Sequence, residues 1–305
     1  MCDYVLGIDA GGTKTLALLA TLSNEIVGRG LAGPGNMHAV GFEAASRAVA
    51  EAIRSAVDSY CIEKLHISSL CIGAAGASRP DEIEAWTVWC RTQGLAQQIK
   101  VVSDAEIAVA AALDAAPGIV VIGGTGSIAF AQSADGQRFR AGGWGYIIDD
   151  GGSAYDIACQ ALKAVLKAYD GRGIETALTT AILSACACAL PPDLVRYVYG
   201  SGVARQQLAR LASVVDRVAQ SGDATAQAIL DHAAGDLAGL AVAAGRAAGL
   251  SGRTRCGLAG GVLLRSDRVR QTWTAQMKTL GFDPDPLVLV DEPARGALLL
   301  AARLC

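Results

Sequence analysis

Apolar and polar positions repeat one pattern at two places in the chain. Apolar runs at 4–9 and 119–122 are each followed by a glycine-rich turn, a second apolar run, a polar turn and a third apolar run. Short apolar runs bounded by turn residues are typical of buried strands. Both halves of the chain are therefore predicted to begin as a three-stranded β-meander. The second and third strands are expected at 16–21 and 26–30 in the first copy, and at 128–132 and 138–141 in the second.

Helical periodicity follows each meander. In the first half, helices are predicted at 42–60, 81–94 and 104–113, with buried strands at 67–73 and 99–103. In the second half a largely helical block comes first, with helices predicted at 153–169, 173–187, 191–199, 204–221 and 224–249. A strand at 255–259, a helix ending at 280, a strand at 287–290 and a last helix from 293 complete the pattern.

This alternation of strands and helices predicts two α/β lobes. The clearest internal break is the Ala-Ala-Pro-Gly segment at 115–118, since proline and glycine interrupt regular structure. We expect an N-terminal lobe at 1–116, completed by a C-terminal helix at 293–305. The C-terminal lobe is expected at 117–292, with a helical insert at about 153–250. A chain of 305 residues is long enough for two lobes with separate cores.

The two glycine turns suit the binding of an anion. Glycine permits positive φ and lets backbone N–H groups approach a phosphate closely, and the threonine of each turn adds a hydroxyl donor. A single turn of this kind is also typical of an ordinary hairpin, so the interpretation depends on the matched context of the two copies. For Lys14 a solvated position is the alternative to a phosphate contact. The candidate phosphate-binding residues are Gly11, Gly12, Thr13, Lys14, Gly124, Thr125 and Gly126.

Other nucleotide-binding motifs do not fit these turns. A P-loop needs lysine where Thr13 stands, and the pattern that follows predicts a strand rather than a helix. Gly124 and Gly126 begin a partial Rossmann pattern, but the next element is again predicted as a strand. The predicted phosphate grip is therefore a hairpin.

Composition restricts the class of protein. Apolar residues make up 52% of the chain and charged residues 18%, and the net charge of −3 leaves no basic stripe for nucleic acid. Charged residues interrupt the N-terminus and the Ala-rich stretch at 224–248, so we expect neither a signal peptide nor a membrane span. The nine cysteines contain no C-x-x-C pair and suit a reducing cytoplasm. Cys186 and Cys188 come nearest to a metal or redox pair. We expect a cytoplasmic protein without nucleic-acid or membrane partners.

Several motifs resemble those of a known superfamily. Residues 7–15 (GIDAGGTKT), 124–127 (GTGS) and 258–262 (LAGGV) are similar to the phosphate-1, phosphate-2 and adenosine motifs of the actin-like, hexokinase-like and Hsp70-like ATPases. Residues 142–155 (GGWGYIIDDGGSAY) and 170–173 (DGRG) resemble more closely the N-acetylglucosamine kinase branch, which is grouped with the BadF/BadG/BcrA/BcrD ATPases. The resemblance implies two ribonuclease-H-like lobes, each a mixed sheet with flanking helices. It also implies ATP and Mg²⁺ as cofactors and a sugar as phosphoryl acceptor.

The resemblance assigns roles to two aspartates and a glycine pair. Asp104 matches the catalytic aspartate that accepts the proton of the sugar hydroxyl, and a plain helix N-cap is the alternative. Asp9 matches the acidic residue that holds Mg²⁺, and an aspartate bonded to the turn's own N–H groups is the alternative. Gly260 and Gly261 match the adenosine motif, although a strand-to-helix turn also needs small residues.

Sugar contacts are implied at several separate positions. Asn36 matches a sugar-binding asparagine, but its Gly-Pro-Gly context is also typical of a turn. Trp144 lies in the segment that wraps the sugar, with a core position as its alternative, and Asp150 matches the residue that grips sugar hydroxyls. Ile128 replaces a polar residue of the animal enzymes, and Gly151 stands where glutamate is more common, so both bear on the preferred sugar. The implied contacts are Asn36, Asp104, Ser127, Ile128, Gly143, Trp144, Gly145 and Asp150.

The resulting expectation is an ATP-dependent hexosamine kinase that phosphorylates the 6-hydroxyl of N-acetylglucosamine with Asp104 as the base. Glucosamine is the rival acceptor on the same fold. An activator ATPase of a CoA-ester dehydratase or reductase is the alternative of another class, and the absence of a cluster-binding cysteine motif argues against it. The expected partners are an amino sugar and ATP. Because members of the family are often homodimers, a homodimer is compatible with the resemblance.

Overall fold

The computed structural model describes residues 3–59, 66–77, 79–200 and 202–305. The chain divides into two compact units, Met1–Ala115 with Glu292–Cys305 and Ala116–Asp291. These bounds differ by one residue at each junction from the lobes expected at 1–116 with 293–305 and at 117–292. Tyr60, the predicted end of the first long helix, and Cys2 and Cys61 lie outside the described residues.

The described residues of the first unit form a mixed five-stranded sheet in the order β3-β2-β1-β4-β5. The first three strands are the antiparallel meander, and the other two run parallel to β1. The strands are β1 (Asp3–Ala10), β2 (Thr15–Thr21), β3 (Ile26–Ala32), β4 (His66–Ala74) and β5 (Gln98–Ser103). The meander predicted for the first half is confirmed.

Helices α1 (Met37–Val40), α2 (Phe42–Asp58), α3 (Pro80–Thr92) and α4 (Asp104–Leu113) belong to this unit. α2 buries one face, because its apolar residues recur at helical spacing. Its backbone approaches β3 so closely that an added Cβ on Gly30 would lie 1.9 Å from the Ala52 carbonyl oxygen. This close contact fixes α2 against the meander that carries the first glycine turn.

The second unit repeats the topology of the first. Its described strands form a five-stranded sheet in the order β10-β9-β6-β7-β8, with an antiparallel meander followed by two parallel strands. The strands are β6 (Gly118–Gly123), β7 (Ser127–Gln132), β8 (Arg138–Gly142), β9 (Gly252–Ala259) and β10 (Phe282–Val290). The second predicted meander is therefore confirmed, whereas β10 begins earlier than the strand expected at 287–290.

The helical block lies between β8 and β9, as α5 (Ala154–Tyr169), α6 (Leu178–Cys186), α7 (Asp193–Tyr199), α8 (Arg205–Ala209), α9 (Ala212–Gln220) and α10 (Ala224–Ala247). The prediction of one helix at 204–221 is wrong, because a tight turn in which Leu211 N–H donates to the Leu208 carbonyl separates α8 from α9. The helix expected to end at 280 is divided into α11 (Gly261–Arg265) and α12 (Asp267–Thr279). Ser266 has an extended backbone between the two helices, and its side chain caps α12.

The chain returns to the first unit as α13 (Ala294–Ala302). Glycines permit its close packing: an added Cβ on Gly7 of β1 would lie 2.4 Å from the Leu298 backbone nitrogen, and one on Gly296 would lie 1.9 Å from the Ile107 carbonyl oxygen of α4. α13 thus braces β1 and α4, the elements that carry Asp9 and Asp104. Across the described residues, no helix has the length and apolar character needed to cross a membrane.

Candidate active site

The first glycine turn joins β1 to β2 and is closed by backbone hydrogen bonds. Gly11 N–H donates to the Lys14 carbonyl at 3.0 Å, and the Gly11 carbonyl accepts from Gly35 N–H at 2.9 Å. Gly11 does not use the positive φ that glycine permits. Space is tight here, since an added Cβ would lie 3.0 Å from the Lys14 carbonyl oxygen. Thr13 and Lys14 are exposed.

Two carboxylates lie at the carboxyl edge of the first sheet, next to this turn. Asp9 is near the end of β1, where it pairs with Gly73 of β4, and Asp104 directly follows β5 on the other side of β4. Parallel strands bring their carboxyl ends to one edge of a sheet, which is the usual place for a ligand in α/β folds. The topology therefore places both predicted aspartates at the same edge.

Asp104 is the first residue of α4 and is not its cap. The Ser103 hydroxyl caps the helix by accepting from Glu106 N–H at 3.3 Å. The interpretation of Asp104 as the N-cap residue is therefore wrong, because the serine one position earlier already supplies the acceptor. Asp104 Oδ1 accepts from Ala105 N–H at 3.0 Å, and the residue is exposed. Its carboxylate is therefore accessible for chemistry.

Electrostatics link the two carboxylates. Burial, assisted by the negative charge of Asp104, raises the pKa of Asp9 to about 7, while the charge of Lys14 acts in the opposite direction. Although Asp104 reaches solvent, the surrounding protein displaces part of its hydration and raises its pKa, against the effect of the Ala105 N–H. Two close carboxylates of this kind favour a shared proton or a bound cation.

Asn36 lies beside the same turn. Its Oδ1 accepts from His38 N–H at 2.9 Å and so caps α1. The preceding residue, Gly35, donates to Gly11, and an added Cβ on Gly76 would lie 3.3 Å from Asn36 Oδ1. Asn36 is thus the N-cap residue of α1, and its sugar contact stays a prediction. Within the described ranges its side-chain nitrogen makes no hydrogen bond, and this leaves the amide available as a donor.

The second glycine turn joins β6 to β7 and is tied to α5. Gly124 N–H donates to the Gly126 carbonyl, and the Gly124 carbonyl accepts from Ala154 N–H, both at 2.9 Å. Gly124 and Gly126 also lack a positive φ. The buried Ser127 that follows donates its hydroxyl to the Gly151 carbonyl at 2.7 Å. Its side chain therefore orders the loop after β8.

Asp150 is buried and bonded through both of its oxygens. Only 4% of the residue is exposed, and it has a positive φ of 74°. Its Oδ1 accepts from Ser127 N–H at 3.2 Å, and its Oδ2 accepts from Arg205 Nη2 at 2.5 Å. Arg205 Nη2 also donates to the Thr125 carbonyl at 3.1 Å. A carboxylate has about four acceptor positions, so these bonds leave acceptor positions free and also give Asp150 a structural role.

Arg205 was not among the residues predicted from the sequence. It is the first residue of α8 in the helical block, 55 positions after Asp150. No local motif marks it, because its partners come from the second turn and the loop after β8. The one residue that points to Arg205 is Gly126, where an added Cβ would lie 2.8 Å from Arg205 Nη2. That crowding becomes visible only when the fold is known.

The glycine-rich loop at 143–145 lies against β7. Gly143 has a φ of 73°, and an added Cβ there would lie 2.6 Å from Ile128 Cδ1. Gly145 also has a positive φ, of 95°. Trp144 is 63% exposed, with the Arg140 guanidinium 4.4 Å from its ring centre, so the alternative of a core tryptophan is wrong. The loop thus approaches Ile128 through Gly143 and presents the exposed ring of Trp144 to solvent.

The predicted adenosine motif lies next to the second turn. Gly260, with a φ of 85°, caps α11, and an added Cβ would lie 2.5 Å from the Gly123 carbonyl oxygen. An added Cβ on Gly261 would meet nothing within 4 Å. Gly260 is therefore needed for close packing of two backbone segments, whereas Gly261 borders open space. The structure brings together Ser127, Ile128, Gly143, Asp150 and Gly260 within the second unit, and Asp9, Gly11, Asn36 and Asp104 within the first.

Each unit thus has a β-meander with a glycine turn, and in the first unit two carboxylates lie at the sheet edge beside that turn. The chain belongs to the BadF/BadG/BcrA/BcrD ATPase family, whose model matches residues 6–301.

Named relatives place the chain among kinases. It is 38% identical over 234 residues to an N-acetylmuramic acid/N-acetylglucosamine kinase of Clostridium acetobutylicum, which covers 77% of this chain and 76% of that protein. It is 29% identical over 252 residues to an N-acetyl-D-glucosamine kinase of Dictyostelium discoideum, with 77% of each chain covered. The predicted family and enzyme class are confirmed: the chain is a sugar kinase that uses ATP.

A solved structure supports the fold. A Chromobacterium violaceum protein provisionally named N-acetylglucosamine kinase superposes with a TM-score of 0.77 at 24% identity, covering 97% of this chain and 98% of that one. The predicted fold class, with two mixed sheets and flanking helices, is confirmed.

Proposed function

We propose that this sugar kinase transfers the γ-phosphoryl group of ATP to the 6-hydroxyl of N-acetylglucosamine, with Asp104 accepting the hydroxyl proton. The observation that carries the proposal is the exposed carboxylate of Asp104 at the same sheet edge as Asp9 and the first glycine turn. The similarity to kinases named for N-acetylglucosamine supports the choice of acceptor.

Asp104 has the properties that the transfer requires. Phosphoryl transfer needs a carboxylate that orients the attacking hydroxyl, and a raised pKa makes Asp104 a stronger proton acceptor than an ordinary aspartate. A bond forms between the sugar O6 and the γ-phosphorus, and the bond from the γ-phosphorus to the bridging oxygen of ADP breaks. The hydroxyl proton passes to the Asp104 carboxylate.

Asp9 is the residue proposed to hold Mg²⁺. Carboxylate oxygens are the donors that Mg²⁺ prefers, and the charge of Asp104 beside Asp9 favours a cation there. In the described part of the chain, no group of three or more His, Cys, Asp or Glu residues could enclose a metal, so phosphate oxygens and water would complete the coordination. When bound, Mg²⁺ neutralises phosphate charge.

The remaining assignments follow the two turns and their neighbours. Backbone N–H groups and threonine hydroxyls are proposed to bind the phosphates, and small residues near β9 the nucleoside. The phosphate set is Gly11, Gly12, Thr13, Lys14, Gly124, Thr125 and Gly126, with Gly260 and Gly261 for the nucleoside. The sugar set is Asn36, Ser127, Ile128, Gly143, Trp144, Gly145 and Asp150, together with Asp104.

Substitution of Asp104 tests the proposal. We expect Asp104→Asn to bind N-acetylglucosamine within about threefold of the wild type but to lose about 10²–10⁴-fold in kcat, the usual contribution of a general base. Calorimetry measures sugar binding, and coupled detection of ADP measures turnover. Glu106→Gln removes the same charge from the same helical turn and serves as the control. A near-normal kcat in Asp104→Asn would contradict the assignment.

A survey of acceptors tests the substrate. N-acetylmuramic acid is a second candidate, because the relative from Clostridium acetobutylicum is named for both sugars. We expect sugar-dependent ADP release with N-acetylglucosamine to exceed that with N-acetylmuramic acid, glucosamine, glucose and N-acetylmannosamine, and ³¹P–¹H NMR to locate the phosphate on O6. A higher kcat/KM for glucosamine would assign a glucosamine kinase. ADP release that no sugar stimulates would refute the proposed function.

A further inference from the structure

We infer that Arg205 is a positioning residue that holds the second glycine turn and the Asp150 carboxylate in one fixed arrangement, and so sets the affinity for the sugar. Its effect on the sugar rests on the proposed function. Arg205 acts through other groups: Thr125 belongs to the proposed phosphate set, and Asp150 belongs to the proposed sugar set.

The hydrogen bonds of Arg205 connect separate segments. Its Nη2 donates both to Asp150 Oδ2 at 2.5 Å and to the Thr125 carbonyl oxygen at 3.1 Å. A guanidinium that only stabilises a carboxylate commonly binds it through two parallel bonds. Here one nitrogen is shared between the two segments, and Nε is buried without an acceptor among the described residues. This geometry joins the turn to the loop after β8.

The side chain of Arg205 is itself held in place. Its guanidinium lies 4.9 Å from the ring centre of Tyr146 and 5.7 Å from that of Tyr155, and the two rings contact each other edge to face at 5.1 Å. Gly126 leaves the space that the guanidinium needs, since an added Cβ would lie 2.8 Å from Nη2. Aromatic packing and the missing side chain at 126 therefore fix where the guanidinium lies.

A purely structural ion pair is the competing explanation. Asp150 is buried, so removing Arg205 would leave an unpaired buried charge and destabilise the protein under either explanation. Stability alone therefore does not separate the two. The double substitution separates the two explanations. It removes both charges, so no unpaired charge is left buried, while the proposed sugar contact of Asp150 stays changed.

The experiment compares Arg205→Gln, Asp150→Asn and the double variant in the full chain, with Arg210→Gln as the control. Arg210 is exposed in the turn that follows α8. We expect Arg205→Gln to raise the sugar KM about 10–100-fold, the effect of a bond to a charged group, with kcat at saturating sugar within about fivefold of the wild type. Arg210→Gln should change neither.

The double variant gives the decisive result. We expect its sugar KM to equal that of Asp150→Asn alone, because Arg205 acts on the sugar through Asp150, while its melting temperature recovers toward that of the wild type. An unchanged sugar KM in Arg205→Gln would overturn the inference. So would KM effects that multiply in the double variant, or a normal sugar KM that returns together with the melting temperature. If Arg205→Gln does not fold, Arg205→Lys replaces it in the experiment. Because lysine keeps the positive charge, we expect a smaller increase in the sugar KM.

A sugar-free measurement separates this inference from the proposed function. The dissociation constant of a non-hydrolysable ATP analogue with Mg²⁺ is measured without sugar, and Arg205→Gln is expected to weaken it about threefold to tenfold because the Thr125 carbonyl loses its bond. If the wild type shows no sugar-dependent ADP release, the proposed function fails, and this constant alone decides the role of Arg205. An unchanged constant would then overturn it.

Discussion

The two glycine turns share a strand topology and matching backbone hydrogen bonds, and the second turn has side-chain bonds in addition. In the first unit, backbone bonds close the turn from Gly11 to Lys14 and attach it to Gly35, and the turn's side chains stay exposed. In the second, side chains of Ser127, Asp150 and Arg205 order the turn and its neighbouring loop. Backbone bonds are therefore common to both turns. The added side-chain bonds tie the second turn to the loop after β8, a loop that differs between the copies.

The largest difference between the units is expected from Asp9, which has no counterpart in the second turn. Asp9→Asn should lower kcat/KM for Mg²⁺-ATP about 10²-fold or more, because a charged ligand of the proposed metal is lost. Turnover measured across Mg²⁺ concentrations checks this, with Asp81→Asn on α3 as a charge-matched control. Activity near that of the wild type at low Mg²⁺ would contradict the role.

The same substitution has a pH-dependent effect on the ligand-free protein. The pKa of Asp9 is raised from 3.8 to about 7 in the folded protein. Protonation of Asp9 therefore stabilises the fold fully below about pH 4, and this contribution is lost as the pH rises through about 7. Asp9→Asn should therefore melt at a higher temperature than the wild type above pH 7, and the difference should shrink toward pH 4. A pH-independent difference would contradict the raised pKa.

Alanine substitutions at two glycines of the second turn test whether glycine is needed there because of crowding or because of ligand access. In Gly126→Ala the new Cβ would lie 2.9 Å from Asp150 Oδ2 and must displace the ion pair, so we expect a loss of about 1–3 kcal/mol of stability and a higher sugar KM. In Gly124→Ala the nearest atom is 3.9 Å away, so stability should hold while nucleotide affinity falls. Thermal melting and nucleotide titration of both variants check this. Equal losses of stability would refute the distinction.

The smallest effects are expected where the two turns are most alike. Thr13→Ala and Thr125→Ala each remove one hydroxyl proposed to bind phosphate, which should raise the KM for ATP about threefold to tenfold. Stability should change by about 0.5 kcal/mol or less, because neither residue is buried. Steady-state kinetics of both single variants and the double variant provide the measurement. A wild-type KM in either single variant would show that the copies do not share the phosphate role.

Local patterns predicted the parts of the site that depend on neighbours in sequence. The meanders follow from apolar runs and glycine turns, and Asp9 before the first turn and Asp104 after β5 follow from where the strands end. The cap of α4 was misassigned by one position, because Ser103 and Asp104 are both good caps and only the backbone geometry selects the serine. The helix expected at 204–221 failed for a similar reason, since nothing in its apolar pattern marks the turn at 208–211.

The duplicated meanders and the two glycine turns follow from the amino-acid sequence alone, since period and turn chemistry act over a few residues. The tertiary structure alone decided that Arg205 reaches Thr125 and Asp150, and that Gly126 and Gly260 are needed for space. The physical reason is the separation of the interacting residues along the sequence. Burial periodicity involves neighbouring residues, whereas the partner of a charged side chain depends on which distant segments packing brings within about 3 Å.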